Sequence, residues 1–274
     1  MSAVNTAFAM SALSHARFSR LDGRSAMEFR EIKIRRGPLN GQAEVLMGKT
    51  LVRATVTGEV SPPTSDRPNE GRLFLNVDMG TIGDPAQVDL GRVRSDGTTL
   101  SNFVERFLKG SKAIDLESLC ILGGKSVWSI RCDIHILNDD GSLFDATSLS
   151  VLAALLNFRC ASVNVEGECV KVFADSEREP VPISIHHLPI SSTFILSNTP
   201  SGASWLVDPC GTEERCFESV VTIVVNQHGE LCGIHKPGGF AIDPDIVVEC
   251  SQIAVQRAHF VSQLVREAFD HVQQ

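Results

Sequence analysis

Five basic side chains between residues 92 and 112 form a group that could bind phosphates. They are Arg92, Arg94, Arg106, Lys109 and Lys112. Guanidinium and ammonium groups bind the phosphates of a nucleic-acid backbone and position it without reading its sequence. The same residues could instead form a solvated helix face or salt bridges to another protein chain.

The overall charge limits nucleic-acid binding to a local surface. The chain carries 25 Lys and Arg residues against 33 Asp and Glu residues, a net charge of −8. General nucleic-acid binders have the opposite balance. A nucleic acid would therefore have to bind along a basic strip on an acidic protein.

The cysteines give no sign of a metal site. The chain has eight of them, and no two form a CxxC pair. Most have apolar neighbours, which favours buried thiols in a reducing compartment over disulfides or a zinc site. We expect no cofactor and no resident metal.

A predicted helix positions part of the basic strip, the name used from here on for Arg92, Arg94, Arg106, Lys109 and Lys112. The spacing of apolar residues predicts a helix over 100–109. Arg106 and Lys109 then lie opposite its buried stripe, which consists of Leu100, Phe103, Val104, Phe107 and Leu108. A second, largely apolar helix is predicted over 146–157, and we expect it to be buried. A long final helix is predicted to begin at Asp243 as cap and Pro244 in the first turn.

The remaining periodicity is that of strands. Apolar and polar residues alternate from Trp128 to Ile136, which predicts a strand with two distinct faces. Further strands are predicted over 43–47, 51–57, 73–77, 181–186, 192–196, 204–207, 220–225 and 231–235. The pattern predicts an α/β fold with helices packed on mixed sheets, and no linker divides it. No apolar run is long enough to cross a bilayer.

The first residues differ in composition from the rest. Residues 1–20 contain no acidic side chain and are rich in Ala and Ser. We predict a disordered tail over 1–17 followed by one domain over 18–274. An organellar transit peptide has a similar composition and stays open as the alternative.

A series of motifs carries a family resemblance. The series opens with RLDGR at 20–24 and FR at 29–30, and LMGKT follows at 46–50. From about residue 18 to about residue 270, the chain resembles the ribonuclease PH family, and within it the exosome ring subunits of the polymyositis/scleroderma autoantigen type. The segments similar to that type are NEGRLF at 69–74, IDLESLC at 114–120, EPVP at 179–182, SIHHLP at 184–189 and LVDP at 206–209.

The resemblance implies a ribonuclease PH-like fold, of the ribosomal protein S5 domain 2-like type. It also implies a hexameric ring with other ribonuclease PH-like exosome subunits, S1/KH cap subunits above it, and single-stranded RNA in its channel. The basic strip is then expected to contact that RNA. The implied locations are nucleus, nucleolus and cytoplasm. Longer members carry a C-terminal tail, so we expect tail-dependent recruitment to be absent or to lie outside this sequence.

Active members of the family resemble phosphorolytic exoribonucleases, and the residues implied for that chemistry are altered here. Their phosphate loop corresponds to 140–145, where Phe144 replaces an Arg and Asp145 follows it. Their carboxylate pair, which holds a metal or donates a proton, falls on Glu214 and Val220. A further Arg appears as Asp96. We therefore expect a non-catalytic subunit, with Glu213 and Glu214 as a solvated loop pair.

Two other functions stay open on sequence alone. One is an active phosphate-dependent 3′-to-5′ exoribonuclease, which would need Glu214. The other is a small-molecule enzyme with an unrecognised pocket, which nothing in the sequence supports.

Overall fold

The computed structural model describes residues 20, 22–80, 90–167, 169–174, 176–199, 202–217 and 219–270. For residues 90–95, 169, 197–199, 202–204 and 270, only the backbone is described. The predicted tail over 1–17 lies outside these residues. The division of the chain at residue 18 stays a prediction.

The first half of the chain forms a six-stranded sheet. Its order is β1-β2-β3-β6-β4, with the short β5 also paired to β6. β4 and β6 run parallel, and the other described strand pairs of this sheet are antiparallel. The predicted strands over 43–47, 51–57, 73–77 and 128–136 are confirmed. The observed bounds are β1 Ile32–Arg36, β2 Gln42–Met47, β3 Thr50–Ser61, β4 Arg72–Met79, β5 Cys120–Leu122 and β6 Ser126–Asn138.

The alternation of β6 produces the two faces that its sequence predicts. Ile130, Cys132 and Ile134 are buried, whereas Arg131 and His135 are exposed. Successive side chains of a strand point to opposite sides of the sheet, so one side becomes core and the other stays solvated.

Helix α2, Leu143–Asn157, lies between the two halves of the molecule. It packs against β2 and β3 of the first sheet on one side and against β11 of the second sheet on the other. Nearly all of its residues are buried, which confirms the predicted buried helix. It begins three residues before the predicted start, at Leu143.

The second half forms a four-stranded antiparallel sheet in the order β12-β11-β13-β14. Helix α4, Pro244–Asp270, packs across β11 and β13. The predicted start of α4 is confirmed, because the Asp243 carboxylate accepts the Asp245 amide at 3.2 Å. The strands are β11 Ile190–Thr199, β12 Gly202–Val207, β13 Ser219–Val225 and β14 Leu231–His235.

Short elements connect the two sheets. A hairpin consists of β8, Val163–Glu166, and β9, Cys169–Val172. A second pair consists of β7, Arg159–Cys160, and β10, Val181–Pro182. A single turn of helix, α3, spans Gly211–Glu214.

Two predicted boundaries are wrong. Helix α1 spans Leu90–Gly110 and begins ten residues before the predicted start, because its first turns lack an apolar stripe. Gly97 lies in this part, and a Cβ there would be 3.0 Å from the carbonyl oxygen of Val77. The predicted strand over 181–186 ends at Pro182, which has no amide to donate. Its later residues instead pair with 113–115 through an isolated bridge between Ile114 and Ile185.

One cluster of buried residues joins both sheets to α1, α2 and α4. No helix among the described residues is both long and apolar enough to cross a membrane.

Candidate functional site

Two loops meet at the start of helix α2. One is the loop 139–142, between β6 and α2. The other is the segment 208–214, which follows β12 and includes α3. Gly141 has φ +82°, and a Cβ there would be 2.5 Å from the carbonyl carbon of Cys210. Only glycine allows the two backbones to approach so closely.

The carboxylate of Glu214 occupies the start of helix α2. Its Oε1 accepts the backbone amide of Ser142 at 2.8 Å. Burial raises the pKa of Glu214 to about 7, and the nearby Asp139 and Asp145 act in the same direction. The Ser142 amide and the Arg30 guanidinium oppose this rise. The side chain of Glu214 is thus only partly exposed, and loss of solvent around its carboxyl group holds its pKa near neutral pH.

The charge of Asp145 is paired within the protein and is not presented to this loop. Its oxygens accept the amide of Thr193 at 3.0 Å, the Thr193 hydroxyl at 2.8 Å and Arg257 Nη1 at 2.8 Å. Both charged side chains are almost fully buried. The expectation that a phosphate would meet the Asp145 charge directly is therefore wrong, because this carboxylate ties α2 to β11 and α4.

The ring of Phe144 is packed between two other rings. Its centroid lies 4.8 Å from that of Phe103 on α1 and 5.1 Å from that of His235 on β14. Burial lowers the pKa of His235, and the positive charge of Arg106 adds to the effect. Phe144 therefore forms an apolar contact that joins α1, α2 and β14.

Val220 lies in an apolar environment. It pairs with Ile195 across β11 and β13. It packs with Ala26 and Phe217 on the buried Ile195 and Leu206. Of the expected carboxylate pair, only Glu214 carries a carboxylate, and the second position is apolar.

Asp96 lies exposed on the second turn of α1. It forms no hydrogen bond or ion pair with any described residue. The structure thus brings Phe144 and Glu214 to the start of α2, but Asp96 makes no polar contact there.

A cluster of arginines and carboxylates lies beside Glu214, and the sequence analysis missed it. This arginine–carboxylate cluster consists of Arg20, Arg24, Arg30, Asp208 and Glu213. Arg20 donates to Glu213 through Nη2 at 2.6 Å and Nε at 2.9 Å, and both side chains are fully buried. The expectation that Glu213 and Glu214 form a solvated loop pair is wrong.

Asp208 is the centre of this cluster. Burial alone would raise its pKa, but hydrogen bonds from Arg30 and the charges of Arg257 and Arg30 hold the pKa well below its usual range. Arg30 Nη2 donates to Asp208 at 2.7 Å and Arg24 Nη1 at 3.1 Å. The motifs RLDGR at 20–24 and FR at 29–30 contain the three arginines of this cluster. These motifs are therefore its signal in the sequence.

The basic strip is partly described. Arg106, Lys109 and Lys112 are exposed. Lys109 Nζ lies 2.5 Å from Glu105 Oε1, so its charge is paired within α1. Arg106 forms no hydrogen bond or ion pair with any described residue. Arg92 and Arg94 lie in α1, and their side chains are outside the described part of the chain.

No group of three or more His, Cys, Asp or Glu side chains that could hold a metal ion occurs in the part of the chain that the structure describes. A metal held by carboxylates alone would need a second acidic group beside Glu214. Asp139 and Asp145 lie near it, but Asp145 is already paired with Arg257.

Two family models match the chain. Residues 28–161 match domain 1 of the 3′ exoribonuclease family, and residues 187–257 match its domain 2. Together these ranges cover most of the chain.

Named relatives match over the same region. The exosome complex component RRP45 of Danio rerio is 40% identical over 252 residues, which are 92% of this chain and 63% of that protein. The rrp45 component of Schizosaccharomyces pombe is 38% identical over 251 residues, 92% of this chain and 85% of that protein. The chain thus spans about three-fifths of the length of the vertebrate relatives, 57% in the human case.

A solved structure has the same fold. It is described as the Archaeoglobus fulgidus exosome with RNA bound to the active site. The TM-score is 0.81 at 26% identity, over 95% of this chain and 97% of that chain.

Proposed function

The chain belongs to the ribonuclease PH family of 3′ exoribonucleases, and we propose that it serves as a non-catalytic ring subunit of an RNA exosome. In this role it supports 3′-to-5′ RNA processing by building part of an RNA channel. Its partners are other ribonuclease PH-like subunits in a hexameric ring and S1/KH cap subunits. The proposed locations are nucleus, nucleolus and cytoplasm.

The packing of Phe144 is the main observation in support of a non-catalytic role. Phosphorolysis needs a cation at the attacking phosphate, since the transition state carries several negative charges. At the position where the resemblance places that Arg, Phe144 is instead held between Phe103 and His235. The apolar surroundings of Val220 support the same conclusion for the acidic pair.

The test of ring membership is affinity purification of the tagged chain from its source cells, followed by identification of the co-purifying proteins. We expect other ribonuclease PH-like subunits and cap subunits. If the chain is recovered without any other ribonuclease PH-like subunit, the proposal fails.

The second candidate is an active phosphate-dependent exoribonuclease, and the pKa of Glu214 favours it. A buried carboxyl titrating near pH 7 is a property shared by many general acids. The discriminating assay incubates the purified chain with single-stranded RNA and inorganic phosphate and measures nucleoside diphosphate release. We expect none above background. Release that is lost in Glu214→Ala would establish the second candidate instead.

RNA contact through the basic strip completes the proposal. Arg106 is exposed and its guanidinium has no ion pair among the described residues, so it is available to an RNA phosphate. Lys109 is less available, because Glu105 neutralises it.

A further inference from the structure

We propose that the carboxyl group of Glu214 closes the start of helix α2 to inorganic phosphate, because its Oε1 already accepts the Ser142 amide. This inference deepens the proposed function, on which its biological meaning rests, by assigning the closure to one residue.

The start of α2 carries backbone amides that attract a hydrogen-bond acceptor. Helix α2 is 15 residues long, and its first amides point away from the helix with the positive end of the helix dipole. Ser142, at the cap position, makes no side-chain cap hydrogen bond. Its amide donates to Glu214 Oε1 at 2.8 Å instead. A carboxylate oxygen therefore already lies where an oxygen of a bound phosphate would accept the same hydrogen bond.

The neighbouring amides of the loop are also occupied by side chains of the protein. The Asp140 amide donates to Thr50 Oγ1 at 3.1 Å, and the Gly141 amide donates to Asp139 Oδ1 at 3.0 Å. Three successive amides, from 140 to 142, thus have acceptors within the chain. A phosphate that used these amides would have to displace their present acceptors.

The nearest cation offers no free donor. Arg30 Nε and Nη2 donate to Asp208, at 3.0 Å and 2.7 Å. Nη1 donates to the carbonyl oxygen of Asp140 at 2.7 Å, and Nη2 also reaches that of Gly141 at 3.2 Å. All three nitrogen atoms of the Arg30 guanidinium thus already donate hydrogen bonds within the protein, and a phosphate at this loop would have to replace one of these acceptors.

Charge also disfavours a phosphate at this loop. Asp139 is a further carboxylate near Glu214 and acts on it electrostatically in the same direction as burial. Arg257 compensates Asp145, Arg30 compensates Asp208, and Arg24 is shared between Asp208 and Asp22. Each arginine of this set of described residues already has a carboxylate partner, so the charge of a phosphate would stay uncompensated there.

The test is a titration of the full chain with inorganic phosphate, with sodium chloride at equal ionic strength as reference. The signals followed are the backbone amide resonances of Gly141 and Ser142. We expect no saturable change in the wild-type chain. A saturable shift of the Ser142 amide in the wild type would overturn the inference.

Three variants distinguish the effect of the space that the Glu214 side chain fills from the effect of its charge. In Glu214→Ala both are removed, and we expect saturable phosphate binding, which the wild-type chain lacks, since the Ser142 amide has then lost its acceptor. In Glu214→Gln the space stays filled and Ser142 keeps an acceptor, so we expect no binding. Glu177→Ala removes an exposed carboxylate elsewhere and serves as the matched control, with no expected change.

A folded Glu214→Ala variant that does not respond to phosphate would contradict the inference. If the alanine variant does not fold, Glu214→Ser takes its place with the same expectation. The outcome is independent of co-purification, because a phosphate-binding wild type could still assemble into a ring. Failure here and failure of the proposed function are therefore distinguishable.

Discussion

At the scale of single residues, the molecule has two carboxylates with opposite environments. Asp208 is held ionised by arginines, whereas Glu214 is pushed toward its neutral form by burial and by neighbouring carboxylates. The two lie on one segment of chain, six residues apart. They affect stability in opposite directions, and each effect can be measured.

Substitution of Glu214 by Gln is expected to stabilise the protein at alkaline pH. The folded-state pKa of about 7 lies above the usual value of 4.5 for a glutamate, so the stabilising effect of the bound proton is complete below pH 4.5 and lost as the pH rises through 7. The resulting penalty at pH 8 is about 3 kcal/mol at most. Denaturant unfolding at pH 5 and pH 8 measures the free energy of unfolding of both proteins. A difference between variant and wild type that is equal at both pH values would contradict this origin.

Asp208→Asn is expected to lower the free energy of unfolding by about 3–5 kcal/mol at neutral pH, since it leaves buried arginines without their partner. Asn keeps the shape of Asp and tolerates the left-handed backbone found here, φ +47°. The pKa of Asp208 is depressed, so the stabilisation is present above its unfolded pKa and lost as the pH falls through the folded pKa.

The matched control for Asp208 is Asp133→Asn on the exposed face of β6. Asp133 pairs with the exposed Arg131 at 3.0 Å. Exposed pairs contribute about 0–1 kcal/mol, so a small loss is expected. Equal losses in the two variants would show that burial of the Asp208 ion pairs is not the cause.

At the scale of elements, helix α1 packs against the core with one face and exposes basic side chains on the other. Phe103 and Phe107 are buried against the core, and Phe103 contacts the ring of Phe144. Arg106 and Lys109 are exposed on the other face. The burial of one face fixes which basic side chains are available to a partner.

Arg106→Gln is expected to weaken RNA binding by the assembled ring and to reduce the slope of log K against log salt by about 0.7, the loss of one phosphate contact on a single strand. Lys109→Gln is the matched control, because Glu105 already neutralises Lys109 and a smaller change is expected. RNA affinities of the reconstituted ring at several salt concentrations give both slopes. Unchanged binding in Arg106→Gln would remove this residue from the RNA path.

At the scale of the whole molecule, the two family domains share one core. Helix α2 is buried between the sheets, and one cluster of apolar residues includes both halves. The chain has two tryptophans, and each half contains one. Trp128 lies on β6 of the first sheet, and Trp205 lies on β12 of the second.

Because of this shared core, the two halves are expected to unfold together. Trp205→Phe and Trp128→Phe each leave one fluorescent probe, and their denaturant transitions should coincide in midpoint and slope. The control is far-ultraviolet circular dichroism of the wild-type chain, which should follow the same curve. Separate transitions for the two probes would mean that the parts matching 28–161 and 187–257 are independent units, and would contradict one domain over 18–274.

The sequence by itself determined the elements whose signals are local. Alternation along 128–136, the apolar composition of 146–157 and the Asp243-Pro244 start all predicted what the structure contains. Burial follows a periodicity of two or 3.6 residues within one segment, so it can be read without knowing the neighbours. The apolar residue types at Phe144 and Val220 can also be read locally, since a residue type is known without its surroundings.

Only the tertiary structure decided what the charged residues do. Arg20 and Glu213 are 193 residues apart, and Asp145 and Arg257 are 112 residues apart. Whether a carboxylate is solvated, paired or buried depends on such distant partners, which local sequence does not specify. For this reason Glu213 and Glu214 were expected on the surface, and Glu214 instead occupies the start of α2 with a pKa near 7.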